Sequence, residues 1–326
     1  MRYRRLGRWG AKVSTVGLGT WMTYGGSLDE GAAADCIHRA YDLGINLFDT
    51  ANSYQGGRAE EVLGKALAIY PHDTYFVATK VYDRIGGRPN DAGLSRKHIM
   101  SQVDASLRRL GLDYIDLYQC HRYDRATPLE ETCRAMDDLI SRGRIIYWGV
   151  SEWNADQLIH VSNLCRSAGW SPPVSNQPQY SALWRGIEHR ILPTALELGM
   201  GTLAWSPLAM GVLTGKYTSS DPPPAGSRAT TEEGAEVLRR YMARETLEAM
   251  SDVNALARDV GCTTPQLALA WCLRQPGLTA VLTGASRLDH VDENAAAADL
   301  DVPDEVFERL GRILAPVAVL EEAVKA

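Results

Sequence analysis

Long apolar runs are missing from this chain. A membrane-spanning helix needs about 20 consecutive apolar residues, and the best run, at 267–273, is far shorter. The charged opening Met1-Arg-Tyr-Arg-Arg5 is interrupted by Gly7, Arg8, Gly10, Lys12 and Ser14 before any apolar core can form, so a secretory leader is not expected. Cysteine is sparse as well. Cys36, Cys120, Cys133, Cys165, Cys262 and Cys272 are scattered with no C-x-x-C, which argues against a metal site or a disulfide framework and for reduced thiols in a cytoplasmic protein. An excess of positive charge is also lacking: 34 Lys and Arg stand against 40 Asp and Glu, a net charge of −6. Phosphate and anionic-lipid binding rest on clustered Lys and Arg. Neither nucleic acid nor a membrane surface is therefore an expected partner, and the small cluster from Arg2 to Arg8 reads as a solvated edge.

What remains is the composition of an ordinary globular protein, 45% hydrophobic and 23% charged over 326 residues. Short β-rich runs alternate with amphipathic helical stretches along nearly the whole length. The strand candidates are 15–18, 46–49, 75–79, 115–119, 146–150, 174–177, 202–204 and 279–282. Helices are expected near 29–43, 58–69, 95–110, 128–142, 154–168, 185–199, 245–260 and 263–274, with others after the last strand. Ser95 is placed to cap a helix whose Ile99, Val103, Leu107 and Leu110 form one stripe. Thr127 followed by Pro128 reads as an N-cap with proline at the first helical position. Regular βα alternation implies a parallel sheet covered by helices, and eight units without a midchain linker favour closure. The expectation is a single α/β domain over 1–326, a (β/α)8 TIM barrel with a short N-terminal β-hairpin capping one end. Two stretches, 82–94 and 217–236, are too long for connectors and follow strands, so they are expected at the C-terminal mouth as lids.

In such a barrel, polar residues at successive strand ends converge on one mouth. Asp49, Lys80 and His121 sit at or just past adjacent strand ends, with Tyr54 in the loop after Asp49. Singly, each has an ordinary explanation: a turn-forming Asp, a solvated Lys, a packing Tyr, a satisfied His. Together they suit proton transfer to a carbonyl oxygen. A free tyrosine has a pKa of about 10. A Lys80 cation held by Asp49 is expected to favour the phenolate and lower that value, while His121 donates to the oxygen and orients it.

The stretches Gly17-Leu-Gly-Thr-Trp21, Phe48-Asp-Thr-Ala-Asn-Ser-Tyr54, Ala78-Thr-Lys80 and Asp113-Tyr-Ile-Asp-Leu-Tyr-Gln-Cys-His121 resemble the aldo-keto reductase family. Within it, Gly93-Leu-Ser-Arg-Lys-His-Ile99 and Trp205-Ser-Pro-Leu-Ala-Met-Gly211 are most similar to the branch of potassium-channel β subunits and their bacterial enzyme relatives. The resemblance implies Asp49, Tyr54, Lys80 and His121 as the catalytic four and NADP(H) as cofactor, with no metal. No G-x-G-x-x-G opens a βαβ unit here, so the cofactor must be held without that fingerprint. By the same resemblance Gly19, Thr20, Trp21 and Asp49 border it, Ser151 and Gln177 meet the nicotinamide amide, and Trp205 stacks on the ring. Ser206, Pro207, Leu208, Gly211 and Lys216 then follow the pyrophosphate. Gly284, Ser286, Arg287, His290, Glu293 and Asn294 take the adenosine end, where a helix start and a guanidinium suit the 2′-phosphate. Three positions depart from the branch: Glu152 where the channel subunits have Arg, His290 where Gln is usual, and Thr283 in place of a common Pro.

Trp21, Tyr54, Tyr82, Arg84, Arg122 and Tyr123 are the candidate substrate residues, aromatic walls mixed with cations. The expected activity is NADPH-dependent reduction of a small-molecule aldehyde or ketone with Tyr54 as proton donor. Two alternatives stay open, a regulatory subunit sensing the nicotinamide redox state and a keto or enoyl reductase of a nucleotide-sugar pathway. The resemblance also leaves room for a homo-oligomer.

Overall fold

The computed structural model describes residues 1–218 and 222–321. It opens with two short antiparallel strands, β1 (Tyr3–Arg5) and β2 (Lys12–Ser14). A βα series follows: β3 (Val16–Gly19), α1 (Glu30–Asp42), β4 (Leu47–Asp49), α2 (Arg58–Leu67), β5 (Phe76–Val81), α3 (Arg96–Leu110), β6 (Ile115–Cys120) and α4 (Leu129–Ser141). It continues with β7 (Ile145–Ser151), α5 (Ala155–Ala168), β8 (Ser175–Gln177), α6 (Ile191–Leu198) and β9 (Gly201–Trp205). Three helices, α7 (Glu232–Leu238), α8 (Arg244–Asp259) and α9 (Thr264–Leu273), precede β10 (Leu278–Thr283), and α10 (Leu288–Ala296) and α11 (Asp304–Leu314) come after it. Among the described residues, the eight strands β3 to β10 pair in parallel and close, β10 returning to β3. This is the (β/α)8 TIM barrel with an N-terminal hairpin that the alternation predicts.

Strand side chains alternate between two faces, and here the two faces fill two cores. Leu47, Phe76, Ala78, Leu117, Val174, Leu203, Ala280 and Leu282 point into the barrel and pack with Leu6 and Val13 of the hairpin region, which plug its N-terminal end. Their outward neighbours Phe48, Val77, Val81, Tyr118 and Cys120 pack under the helices in the larger core. Full burial of one such side chain is worth about 1.5–3 kcal/mol. The interior leaves no room at Gly17, where a Cβ would come within 2.8 Å of Leu282 and 3.0 Å of Leu47.

Local signals set most helix ends. Ser95 Oγ accepts from the His98 N–H at 3.3 Å, as expected for a cap, and Asn154 with Gln157 makes a reciprocal capping box. Two expectations shift. Pro128 is extended, with ψ 131°, and takes the N-cap itself, while the Thr127 hydroxyl turns back to Asp124 at 2.7 Å. The helix expected at 185–199 begins only at Ile191, because Trp184 and Arg185 pair with Val319 and hold 185–190 in turns. The long stretch 217–236 is also less irregular than expected. Residues 219–221 lie outside the described residues, but Arg228–Thr230 forms a short 3-10 turn and α7 starts at Glu232, its Thr231 cap accepting from Gly234. The other long stretch is tied to itself: the Gly93 N–H donates to Tyr82 O at 2.7 Å and the Ile85 N–H to Asp91 O at 3.0 Å.

Candidate active site

Following the inward-facing positions toward the C-terminal ends of the strands converts the apolar interior into a polar floor. Leu47 is succeeded on its face by Asp49, Phe76 and Ala78 by Lys80, and Leu117 by Gln119 and His121. The register aligns these layers, with Asp49 opposite Ala78 and Lys80 opposite Gln119. Alternation alone therefore brings Asp49, Lys80 and His121 together. Tyr54 joins them from a tight turn after β4, in which Gln55 adopts a left-handed φ of 50°.

Lys80 is fully buried and uses all three of its ammonium donors. They reach Asp49 Oδ1 at 2.5 Å, the Thr50 carbonyl at 2.8 Å and the Tyr54 hydroxyl at 3.3 Å. The other carboxylate oxygen of Asp49 accepts from Gln177 Nε2 at 2.8 Å and from Gln119 Nε2 at 3.5 Å. Burial pushes Lys80 down, but Asp49 and Tyr54 outweigh it and hold the ammonium above its ordinary range. Tyr54 differs from the expectation. Burial pushes its hydroxyl up, and although Lys80 opposes this most strongly, the net shift is upward. The lowered pKa inferred from charge proximity is overturned because the sequence displays the cation and not the desolvation.

The Tyr54 and His121 rings meet edge to face with centroids 5.7 Å apart. Burial lowers His121 below the ordinary imidazole range, so it is neutral at neutral pH. Its Nδ1 lies 3.0 Å from Asp83 Oδ2. Burial would raise the Asp83 carboxyl, yet His121 and Ser53 hold it at about 2. Asp83, Gln119 and Asn52, whose side-chain amide donates to Gln102 Oε1 at 3.0 Å, complete the surroundings. Asp83 lies three residues past Lys80 in the sequence, where no periodicity says which way its side chain faces.

The residues expected along the cofactor fall on the same rim. Ser151 Oγ donates to the Gln177 carbonyl at 2.8 Å. Trp205 ends β9, its indole edge to face with Trp21 at 6.1 Å, and its N–H donates to Glu152 Oε1 at 2.9 Å. Beyond it the backbone is strained: Ser206, Ala209 and Met210 all have positive φ. Ser206 Oγ approaches Met210 Sδ at 3.0 Å, and Pro207 is buried beside the half-buried Leu208 and Gly211. Partial burial and the charges of Arg228 and Arg287 lower Lys216. Arg228, from the 217–236 stretch, was not singled out in the sequence. Arg287 is exposed and paired with Asp289 at 3.0 Å, near Ser286 and His290, while Asn294 Nδ2 is 3.5 Å from Gly284 O and Glu293 is half-buried.

Of the candidate substrate residues, Trp21 and Arg84 are exposed and Tyr82 is half-buried. Arg84 bonds carbonyls of its own loop, Arg122 Nη1 donates to the His121 carbonyl at 2.6 Å, and Tyr123 packs on the buried Trp153. Among the described residues there is no group of three or more His, Cys, Asp or Glu that could hold a metal, and no helix is long and apolar enough to cross a membrane.

The family model described as Aldo/keto reductase family matches residues 15–315, which spans the whole barrel. The chain belongs to the aldo/keto reductase family. Two relatives named "Probable voltage-gated potassium channel subunit beta", from Arabidopsis thaliana and Oryza sativa subsp. japonica, are each 40% identical, over 303 and 304 residues and 92% of both chains. A "Putative voltage-gated potassium channel subunit beta" of Schizosaccharomyces pombe is 40% identical over 321 residues, 96% of this chain and 93% of the relative. As an aldo/keto reductase this protein is an oxidoreductase, and members of the family typically use NAD(P)H.

Proposed function

We propose that this aldo/keto reductase reduces an aldehyde or ketone to an alcohol with NADPH, residues 1–326 acting as one domain. The observation that carries the reading is the buried chain from Asp49 through Lys80 to the Tyr54 hydroxyl, with neutral His121 against the Tyr54 ring. The donor set fits a nicotinamide dinucleotide phosphate. Lys216, Arg228 and Arg287 bring ammonium and guanidinium donors to one side of the rim, where anionic phosphates would accept from them. Buried polar atoms at the strand ends, Thr20 Oγ1, Asn176 Oδ1 and Gln179 Oε1, lack partners among the described residues. Ser151, Gln177 and Trp205 would hold the nicotinamide end, and the cations with Ser286 and His290 the phosphates.

When bound, NADPH supplies a hydride for the carbonyl carbon. The Tyr54 hydroxyl gives its proton to the carbonyl oxygen as negative charge builds there. The phenolate left behind is stabilised by the Lys80 ammonium, which stays charged because Asp49 holds it. His121 presents an imidazole N–H to the same oxygen and orients it. Ser53 donates to Asp83 Oδ2 at 2.8 Å, beside the other ring nitrogen of His121. Trp21 and Trp205, edge to face at 6.1 Å, would give the reacting centre an aromatic wall.

NADPH consumption against a panel of aldehydes and ketones, with the alcohol identified, tests the reading. Turnover supports it. The names of the relatives favour a second reading, a nicotinamide-sensing regulatory subunit that assembles with a channel. Tight cofactor binding without turnover on any carbonyl would support that one instead.

A further inference from the structure

Glu152 lies one residue beyond β7 with a φ of 59°, a left-handed backbone that strains a residue with a side chain. That backbone turns its carboxylate toward the two neighbouring strand ends. Oε1 accepts the Trp205 indole N–H at 2.9 Å, from the end of β9, and the Gln179 backbone N–H at 2.6 Å, just beyond β8. One carboxylate therefore braces the ends of three consecutive strands and fixes the Trp205 ring. A neutral amide oxygen could accept the same two hydrogen bonds, so the charge itself has a further consequence.

A carboxylate hydrogen-bonded to an indole N–H adds negative potential to the ring, whose face already attracts cations. In this half-buried position water screens that charge only partly. The oxidised nicotinamide is a cation and the reduced one is neutral. The phosphates are the same in both forms, so the rim cations Lys216, Arg228 and Arg287 cannot tell them apart. The charge behind Trp205 can.

We propose that Glu152 is a positioning residue that, through the Trp205 indole, sets the preference of this site for the oxidised over the reduced nicotinamide. The inference rests on the reading above that Trp205 carries the nicotinamide ring. Holding the oxidised form more tightly makes the bound reduced form a stronger hydride donor. A tenfold change in the ratio of the two affinities moves the two-electron couple by about 30 mV.

The test is calorimetric titration of the full chain with NADPH and with NADP+, comparing the native protein with Glu152→Gln, Glu152→Ala and Trp205→Ala. Glu152→Gln keeps both hydrogen bonds and removes the charge. It is expected to weaken NADP+ about five- to tenfold while leaving NADPH within about twofold. Glu152→Ala, which also frees the indole, should weaken both. If Trp205→Ala weakens the cofactor but Glu152→Gln shifts both forms equally or neither, Glu152 is only a brace and the proposal is overturned while the ring placement stands. If Trp205→Ala leaves both affinities unchanged, the ring placement itself fails and the proposal falls with it.

Discussion

Lys80 Nζ donates to the Tyr54 hydroxyl at 3.3 Å, yet burial keeps that hydroxyl protonated above its ordinary range. A buried hydroxyl that stays protonated suits the proton-donor role proposed for Tyr54, because that proton would be needed in every reductive cycle. Tyr54→Phe deletes that source and little else. The variant should fold, bind the cofactor as before, and lose about 10²–10⁴ in kcat. Near-full turnover of an aromatic aldehyde by Tyr54→Phe would remove Tyr54 from the proposed chemistry.

The same shift fixes the direction of the pH dependence. In the proposed reaction, reduction needs the phenol, and burial moves its loss to the alkaline side of the free tyrosine value, about 10. The reduction rate should therefore stay level from neutrality toward pH 10 and fall only beyond it. Oxidation of the alcohol needs the phenolate and should rise over the same alkaline range. A lowered His121 adds no transition near neutrality, since it gains its proton only below the ordinary imidazole value. Initial rates in both directions across pH check this, and a reductive decline centred below pH 8 would contradict it.

Lys80 and Asp49 are both buried, so their pairing also bears on stability. Removing one partner leaves the other charge without compensation, at a cost of about 3–5 kcal/mol. Gln177 and Gln119 still reach Asp49 in Lys80→Met, which places the expected loss near the lower end, about 3 kcal/mol. Adding Asp49→Asn should recover part of it, because the stranded charge is then gone. Urea unfolding of the two variants measures both effects. A loss below about 1 kcal/mol for Lys80→Met would mean that water reaches Asp49 in the variant.

Much of this was legible because period-two alternation carries a residue's face along with its position. Once the strands at 46–49, 75–79 and 115–119 are recognised, Asp49 and Lys80 must share an interior, and His121 follows two residues past Gln119. Asp83 and Arg228 were not legible in the same way. Each sits in a long turn-rich stretch, where no periodicity says which way a side chain faces. The sign of the Tyr54 shift was missed for a related reason: a cation shows in the sequence, while the loss of solvent around a hydroxyl depends on packing from several elements. The helix expected at 185–199 lost its first turn to a pairing with Val319, a contact more than a hundred residues away in the chain.

Arg287 stands free of the barrel wall, with its guanidinium forked onto Asp289 at 3.0 and 3.1 Å. A 2′-phosphate there must share that guanidinium with Asp289 in water, which keeps the gain at the low end of the about 1.5–3 kcal/mol typical of charged hydrogen bonds. Arg287→Ala should therefore weaken NADPH about tenfold and leave NADH nearly unchanged. The difference should shrink as salt is raised. Titrations with both cofactors at two ionic strengths check it, and equal losses for both would assign Arg287 to the turn alone.

The two long mouth segments were expected to behave alike as lids, but their hydrogen bonding separates them. In 82–94, backbone bonds from Gly93 to Tyr82 and from Ile85 to Asp91 are joined by side-chain bonds from the Arg88 N–H to Asp91 and from the Leu94 N–H to Asp124, at 2.7 to 3.0 Å. Opening this segment must break them, so its amides should exchange slowly whether or not cofactor is present. Residues 222–231 hold themselves by local turns, the Ser227 N–H to Pro224 and the Thr230 N–H to Ser227, and reach the rim through Arg228, which donates to the Met210 carbonyl at 3.3 Å. Arg228 is one of the cations acting on Lys216, so a phosphate bound there would draw the segment inward and its amides should slow sharply when NADPH is added. Hydrogen exchange with and without NADPH reads both segments in one experiment. Strong cofactor-dependent protection at 85–93 with none at 227–231 would reverse the assignment and make the segment after Lys80 the moving lid.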